Sequence, residues 1–457
     1  MVALAGILSR MNRKRVMVVG DLMLDTYTIG KARRISPEAP VAVVHVQKEE
    51  HRPGGAGNVV LNLVSLGAEV VVVGRTGEDP YGALLKQILN EEGADIRGIV
   101  RQRGFPTPIK NRILADNQQV VRVDHECCIG MPPELEQELM DLLPGLLEGV
   151  RIVAISDYGK GFLSKKLLGH IIACSKQQGI PVIADPKGVD FGKYSGTTIL
   201  KPNLGEAYAA ANLSPDFPLE EAAKRIHSSI EAETLMITRS EAGISLFHRS
   251  GLRQDFPVKA REVKDVTGAG DTVLATLAYV MANDLPLDTA VRLSNVTAGM
   301  AIERFGCARI TFSELARRLL QEDANNKIFD GDHLFALQSA LQDRPFTLFI
   351  LNGFQQMNSL LFKSIRQLSH PNKDLLVYIQ DLVPNEELVN LLVSLQDVNF
   401  VLLHTEDIKN LWQDIYPEKV YLLNQEALAI SEVQLGGEWT LLKKICCNLP
   451  QGHTGNV

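Results

Sequence analysis

At 457 residues the chain is longer than a single hydrophobic core comfortably organises, so two domains are expected. Hydrophobic content of 45% and charged content of 22% are those of a soluble protein, and no apolar run is long enough to span a bilayer, which argues against membrane insertion. A net charge of -7 argues against general nucleic-acid binding but leaves room for a local basic pocket.

The N-terminus places a short apolar start before Arg10, Arg13, Lys14 and Arg15, the reverse of a signal peptide's charge order, so a cytoplasmic location is expected. Cys127, Cys128, Cys174, Cys307, Cys446 and Cys447 form no CxxC pair and no zinc spacing with histidine, which predicts reduced thiols. Val16 to Val19 reads as a buried first strand ending at Gly20-Asp21 and Asp25. Ligands of open α/β sheets collect at such carboxyl ends, so Asp21 and Asp25 are candidate sugar-hydroxyl acceptors, the alternative being loop caps.

From Tyr27 to Val46 an alternating pattern broken by Pro37 and Pro40 predicts short edge strands, and it carries Arg33 and Arg34. Pro53-Gly54-Gly55-Ala56-Gly57-Asn58 then enters a helix over Val59 to Leu66, a Gly-rich turn suited to an anion or hydroxyl ligand or simply to a tight turn. Ile109 to Leu114 and Val120 to Val123 predict a hairpin with a polar tip. Lys110, Arg112 and Arg122 share one of its faces, either solvated or closing over a ligand.

Strands and helices alternate from there. A helix is expected over Pro132 to Glu148, a strand over Arg151 to Ile155 ending in Ser156-Asp157-Tyr158-Gly159-Lys160-Gly161, and a helix over Lys165 to Gln178. Three further strands end in Asp185-Pro186-Lys187-Gly188, Lys201-Pro202-Asn203-Leu204-Gly205-Glu206 and Thr238-Arg239-Ser240-Glu241-Ala242-Gly243. Polar clusters recurring at strand ends are what a doubly wound sheet with one active edge produces. An Asn and an acid at i, i+3, as in Asn203 and Glu206, can hold the water shell of a magnesium ion or can simply start a helix.

Asp265-Val266-Thr267-Gly268-Ala269-Gly270-Asp271, followed by the apolar Thr272 to Met281, states a chemistry. Small residues let the backbone turn into a helix whose unpaired N–H groups bind anions. Asp271 at its mouth is placed to take a proton from a hydroxyl as a phosphoryl group arrives; the bland alternative is an acidic residue starting a helix. Neither a P-loop nor a dinucleotide fingerprint is present.

From about Val16 to about Arg318 the chain resembles the ribokinase, or PfkB-type, carbohydrate kinase family. Its two signatures are matched by Gly54-Gly55-Ala56-Gly57-Asn58 and by Asp265 to Asp271. Gly20-Asp21-Leu22-Met23-Leu24-Asp25, Ser36-Pro37-Glu38-Ala39-Pro40, Ser156-Asp157-Tyr158 and Asp185-Pro186-Lys187-Gly188 are similar to the heptose 7-phosphate kinase branch, which serves lipopolysaccharide core synthesis.

The resemblance implies ATP-dependent transfer to the anomeric hydroxyl, giving a 1,7-bisphosphate, on a doubly wound ribokinase-like sheet with a small β lid. It implies Asp271 as base and the N–H groups of Gly268, Ala269 and Gly270 as the hold on the migrating phosphoryl group. Asp25, Gly54, Gly55 and Asn58, with Asp21 and Asp157, fall on the sugar side; Lys110, Arg112, Lys160, Lys187 and Arg34 are the basic candidates for the distal phosphate. Asn203 and Glu206 match the magnesium and phosphate positions, Thr238, Arg239, Gly243 and Asn295 lie along the nucleotide, and Asp265 with Thr267 matches a potassium site. The lid implies a homodimer clasp. The chain departs from the family at Cys307-Ala308-Arg309, where relatives carry small hydroxyl residues.

Beyond Asn325 strands are expected over Phe346 to Leu351, Leu375 to Ile379, Val398 to Leu403 and Val420 to Leu423, with helices over Met357 to Leu368, Glu386 to Leu395 and Thr405 to Ile415. Residues 1–320 are thus expected to form the kinase domain and 325–457 a small α/β domain. In bifunctional relatives the second domain is a nucleotidyltransferase with a Phe-Asp pair and a His-x-Gly-His signature. Here Leu351-Asn352-Gly353-Phe354 is followed by Gln355-Gln356-Met357-Asn358, and no HxGH occurs, so a degenerate domain without adenylylating activity is expected, with an unrelated α/β module as the alternative. Rival readings of the whole are another sugar or nucleoside kinase of the family, or a non-catalytic sugar-sensing protein.

Overall fold

The computed structural model describes residues 7–8, 10–116, 118–258, 263–322, 327–330, 334–342, 344–354, 356–404, 415–424 and 430–432. The chain divides into two units, Asn12–Thr311 and a second that joins Met1–Met11 to Phe312–Val457.

In the first unit the strands are β1 (Arg15–Gly20), β2 (Leu22–Ile35), β3 (Ala42–Gly55), β4 (Glu69–Gly77), β5 (Asp95–Gln102), β6 (Ile109–Ala115), β7 (Gln118–His125), β8 (Val150–Ser156), β9 (Val182–Asp185), β10 (Ile199–Leu200), β11 (Thr234–Thr238), β12 (Ile244–His248) and β13 (Arg253–Phe256). Nine of them form one sheet in the order β13-β12-β11-β10-β9-β8-β1-β4-β5. The pairs from β11 through β5 are parallel, and β12 and β13 add an antiparallel edge. Valine-rich β1 and β4 are buried on both faces, the condition that lets continuous β-branched runs serve as central parallel strands. Met17, Val71, Val153 and Ile155 pack on one side against Leu139, Leu143, Leu167 and Ile171 from the helices Pro133–Leu146 and Lys165–Gln177. Strand order runs away from β1 in both directions, through β8 on one side and β4 on the other, so the switch-point crevice opens at the carboxyl end of β1.

Above that edge lies a four-stranded sheet in the order β3-β2-β6-β7. The short Pro-broken strands expected over Tyr27 to Val46 are instead two strands of 14 residues each, paired from Leu22↔Gly55 to Ile35↔Ala42. Pro37 and Pro40 sit in the connection between them, where the Ser36 N–H donates to the Val41 carbonyl, so neither proline removes a ladder donor. The expected hairpin is β6–β7, and β6 also pairs in parallel with β2, which locks both hairpins into one layer. The edge hairpin β12–β13 was not anticipated from sequence.

The second unit has its own sheet of β14 (Ile328–Phe329), β15 (Phe346–Asn352), β16 (Asp374–Ile379), β17 (Phe400–Leu403), β18 (Lys419–Asn424) and β19 (Ile430–Glu432), in the order β14-β17-β16-β15-β18-β19. All pairs are parallel except β18–β19. Alternate residues of β15 enter two separate cores: Leu348 and Ile350 face one, Phe349 and Leu351 the other. Both faces are therefore covered, as a small α/β domain requires. Of the helix expected over Thr405 to Ile415, residues 405–414 lie outside the described residues.

Candidate active site

Helix Ala269–Ala282 is buried on nearly all sides, and Asp271 is its third residue. Gly268 supplies the entry with φ of 77°, a left-handed conformation that glycine adopts without a Cβ penalty. A Cβ there would also lie 2.8 Å from the Asn58 amide nitrogen, so the turn and the helix Ala56–Ser65 approach closely only because the residue is glycine. The Ala269 N–H donates to the Val266 carbonyl at 3.2 Å, whereas among the described residues no protein acceptor takes the Gly270 and Asp271 N–H groups. These are the orphan donors of a helix start, aimed where an anion would sit.

Asp271 is 4% exposed. Its Oδ2 accepts from Asn58 Nδ2 at 2.8 Å and its Oδ1 from the Tyr158 hydroxyl at 2.6 Å. Burial raises its pKa to about 6; the Asn58 and Tyr158 hydrogen bonds oppose the rise, the nearby Asp185 charge adds to it, and Lys201 opposes it. Such a carboxyl ionises at neutral pH yet remains basic enough to take a proton. Lys201 itself is buried and pairs with Asp185 at 2.8 Å, and this pair lies beside Gly270, about 4 Å from where a Cβ would project.

On the lid, Asp25 is held by Arg112, which stands one strand away on β6, at 2.5 Å; both side chains are largely buried. The Cys307 thiol, pushed up by burial, meets Asp25 Oδ2 at 3.5 Å. Gly54 lies opposite Met23 on β2, and a Cβ at Gly54 would fall 2.3 Å from Asp25 Oδ2. Asp25, Gly54 and Arg112 are therefore packed together on the lid, and Asn58, at the start of the helix that follows Gly54-Gly55, reaches Asp271. Lys110 is adjacent to this group on β6, in register with Asp25.

Most of the other residues singled out from sequence have protein partners. Asp21 Oδ2 accepts from the Tyr158 N–H at 2.9 Å and the Lys160 N–H at 3.1 Å, and burial raises its pKa. Asp157 accepts from Lys193 and the Tyr194 hydroxyl, each at 2.6 Å, and from the Gly159 N–H at 2.7 Å. Lys160 pairs with Glu126 at 2.6 Å, and Lys187 with Glu206 at 2.8 Å. Arg34, on β2, is exposed. Asn203 and Glu206 form a reciprocal capping box on the helix Leu204–Ala210, the bland role weighed for an NxxE string, while the Glu206 carboxylate remains at the sheet edge.

Asp265 Oδ1 accepts from the N–H and hydroxyl of Thr267 at 2.9 and 2.7 Å, and Oδ2 from the Gly306 N–H at 2.8 Å. Partial burial works against ionisation there, but these donors hold the carboxyl below its ordinary range. Thr238 ends β11; the Arg239 N–H donates to the Gly243 carbonyl at 2.7 Å, and Asn295 Nδ2 donates to the Phe256 carbonyl at 2.9 Å, which ties helix Leu287–Ile302 to the β13 edge. Sequence reasoning passed over Tyr158 as an individual residue, along with the Asp185–Lys201 pair and Lys193. Tyr158 and Asp185 stood within strand-end clusters, so their position was visible while their side-chain direction was not.

A buried carboxylate at a helix start with unpaired N–H donors, under a β lid at the switch point of a doubly wound sheet, is an arrangement suited to phosphoryl transfer. The pfkB family carbohydrate kinase profile matches residues 13–313, and the chain belongs to that family. It is 38% identical over 417 residues to the bifunctional protein HldE of Geotalea uraniireducens, covering 87% of this chain and 85% of that one. A match of that extent runs past the first unit into the second, which removes the unrelated-module alternative for the tail. Among solved structures it is similar to Arabidopsis thaliana ribokinase complexed with ribose and ATP (TM-score 0.53, 19% identity, covering 67% of this chain and 99% of that one). Escherichia coli phosphofructokinase-2 in complex with potassium is similar at a TM-score of 0.56 and 18% identity, over 68% of this chain and 99% of that one. Both show the ribokinase-like fold. Among the described residues no helix is long and apolar enough to cross a membrane.

Proposed function

We propose that this kinase phosphorylates a D-glycero-D-manno-heptose 7-phosphate at the anomeric hydroxyl, giving the 1,7-bisphosphate for ADP-heptose and lipopolysaccharide core synthesis. The observation that carries it is the bond of Asn58, from the sugar-side signature, to Asp271, from the transfer signature, in a chain 38% identical to an HldE protein. In the reaction the anomeric oxygen bonds to the γ-phosphorus of ATP, the bond to the β–γ bridging oxygen breaks, ADP leaves, and the proton passes to Asp271. Of the expected N–H donors we keep that of Gly270 and add that of Asp271, with Lys201 beside Gly270, for the charge on the transferring group; the Ala269 N–H, expected in that role, is taken by the Val266 carbonyl. Magnesium, when bound with ATP, neutralises phosphate charge; Glu206 and Asn203 are the residues we assign to it, through water. Potassium, which the phosphofructokinase-2 structure contains, would be held at Asp265 and Thr267. Thr238, Arg239, Gly243 and Asn295 are assigned to the nucleotide side, and Lys110, Lys160, Lys187 and Arg112 to the distal phosphate. The reading includes a cytoplasmic enzyme that dimerises through the lid, whose outer strands expose Val46, Val120, Val121 and Val123.

The second unit we take to be an adenylyltransferase domain that has lost its activity. Gln355-Gln356-Met357-Asn358 follows where the acid and histidines of the signature would stand, and Asn358 caps helix Ser359–Leu368 by accepting from the Leu361 N–H at 2.8 Å. Two assays test the reading. A panel of sugars and sugar phosphates with coupled ADP detection should favour the heptose 7-phosphate; faster turnover of unphosphorylated hexoses would overturn the substrate. Heptose 1-phosphate with ATP should release no pyrophosphate; release that survives Asp271→Asn would restore a second activity.

A further inference from the structure

Asp271 is held from two sides, and only one holder belongs to either family signature. Asn58 comes from the Gly-rich turn; Tyr158 comes from the loop after β8. That loop is braced from beneath: Asp21 accepts both the Tyr158 and Lys160 N–H groups. The Arg75 guanidinium, 1% exposed and stacked 3.8 Å above the Phe105 ring, donates to the Lys160 and Ile129 carbonyls at 2.6 Å. A buried cation and a buried carboxylate thus hold three residues of backbone so that one phenol reaches one carboxylate oxygen.

We infer that Tyr158 is a positioning residue for phosphoryl transfer: its hydroxyl, opposite the Asn58 amide, fixes the Asp271 carboxylate in one orientation and keeps it in the form that accepts the sugar proton. This rests on Asp271 acting as the base. Burial and the facing Asp271 charge push the Tyr158 phenol well up, so it stays a donor and does not compete for the proton. Each carboxylate oxygen retains a second lone pair after accepting one bond, which leaves a site for the substrate hydroxyl. The charged and titratable groups that face Asp271 are Asp185 and Lys201 from the ends of β9 and β10, Cys307 from the loop after helix Leu287–Ile302, and Tyr158 itself. Asp185 and Lys201 pair with each other, so the two donated hydrogen bonds are the direct contacts that favour the ionised base.

The test is Tyr158→Phe, which keeps the ring and removes only the donor. In the full chain, kcat is measured from pH 5 to pH 9 at saturating ATP and sugar phosphate. The acid limb is expected to move up by roughly one pH unit, with ATP affinity within about twofold and most of the lost rate recovered above the new limb. A uniform loss at every pH, or an unmoved limb, would overturn the inference and leave Tyr158 a packing residue. A second measurement needs no turnover: the carboxyl 13C resonance of Asp271, assigned by its disappearance in Asp271→Asn, is titrated in both proteins. An upward midpoint in Tyr158→Phe supports the inference even if the heptose substrate proves wrong, and an unchanged midpoint overturns it even if the substrate is right.

Discussion

Asn58 and Asp271, 213 residues apart in the chain, meet at 2.8 Å in the floor of the crevice, joining the helix that follows the lid to the helix that carries the transfer signature. The contact ties the proposed sugar side to the proposed phosphoryl site, and several outcomes follow from it.

Asp271→Asn keeps the shape and the Asn58 contact, since its amide oxygen can face Asn58 while its NH2 faces the Tyr158 oxygen. Turnover should fall by about two to four orders of magnitude, the scale of positioned base catalysis, with the ATP dissociation constant nearly unchanged. Isothermal titration beside a coupled ADP assay separates the two. Lost nucleotide binding without a specific turnover defect would assign Asp271 a structural role.

The same substitution has a stability signature whose sign is set by burial. The folded carboxyl titrates at about 6, above the ordinary 3.8, so the folded state binds its proton more tightly than the unfolded chain does. Its favourable contribution is complete below about pH 4 and is lost as pH rises through 6. Wild type should therefore be less stable than Asp271→Asn at pH 7.5, by on the order of 1–3 kcal/mol, with the gap closing near pH 4. Thermal unfolding at the two pH values reads this directly; an equal gap at both would refute it.

Arg112→Leu leaves Asp25 buried without its cation. Loss of one partner of a largely buried pair should destabilise the first unit by about 2–4 kcal/mol, whereas Asp25→Leu combined with Arg112→Leu should recover most of that. Both should raise KM for the sugar. Urea unfolding of wild type, the Arg112→Leu and Asp25→Leu single variants and the double variant provides the cycle.

Gly54→Ala introduces a methyl group 2.3 Å from Asp25 Oδ2. The carboxylate must move or turn, so KM for the sugar should rise about tenfold or more while ATP binding is unaffected. An unchanged sugar KM would place the acceptor hydroxyls elsewhere.

Much of this was readable in the chain because the parallel strands are continuous β-branched runs and each ends in a polar cluster; Val16 to Gly20 and Arg151 to Ser156 announce both strand and site edge. The lid was harder. Pro37 and Pro40 read as interruptions because periodicity cannot distinguish a proline inside a strand from one in the turn that joins two long strands. The β12–β13 hairpin escaped notice although Arg249-Ser250-Gly251 carries a turn signal. Side-chain direction was the other blind spot. Asp157 and Tyr158 are neighbours at one strand end, yet Asp157 turns to Lys193 and Tyr194 while Tyr158 reaches Asp271, a distinction set by loop backbone, not by residue type.

A single residue, Asp21, separates the last residue of β1 from the first residue of β2. The lid is thus an interior strand of the main sheet carried on past its own edge, with no linker between them. Asp25 stands on the lid side of that junction, and the junction residue is the one whose carboxylate clasps the Tyr158–Lys160 loop. The residue that joins the main sheet to the lid is thus also the residue that holds the loop whose phenol reaches Asp271, with no intervening segment between the two.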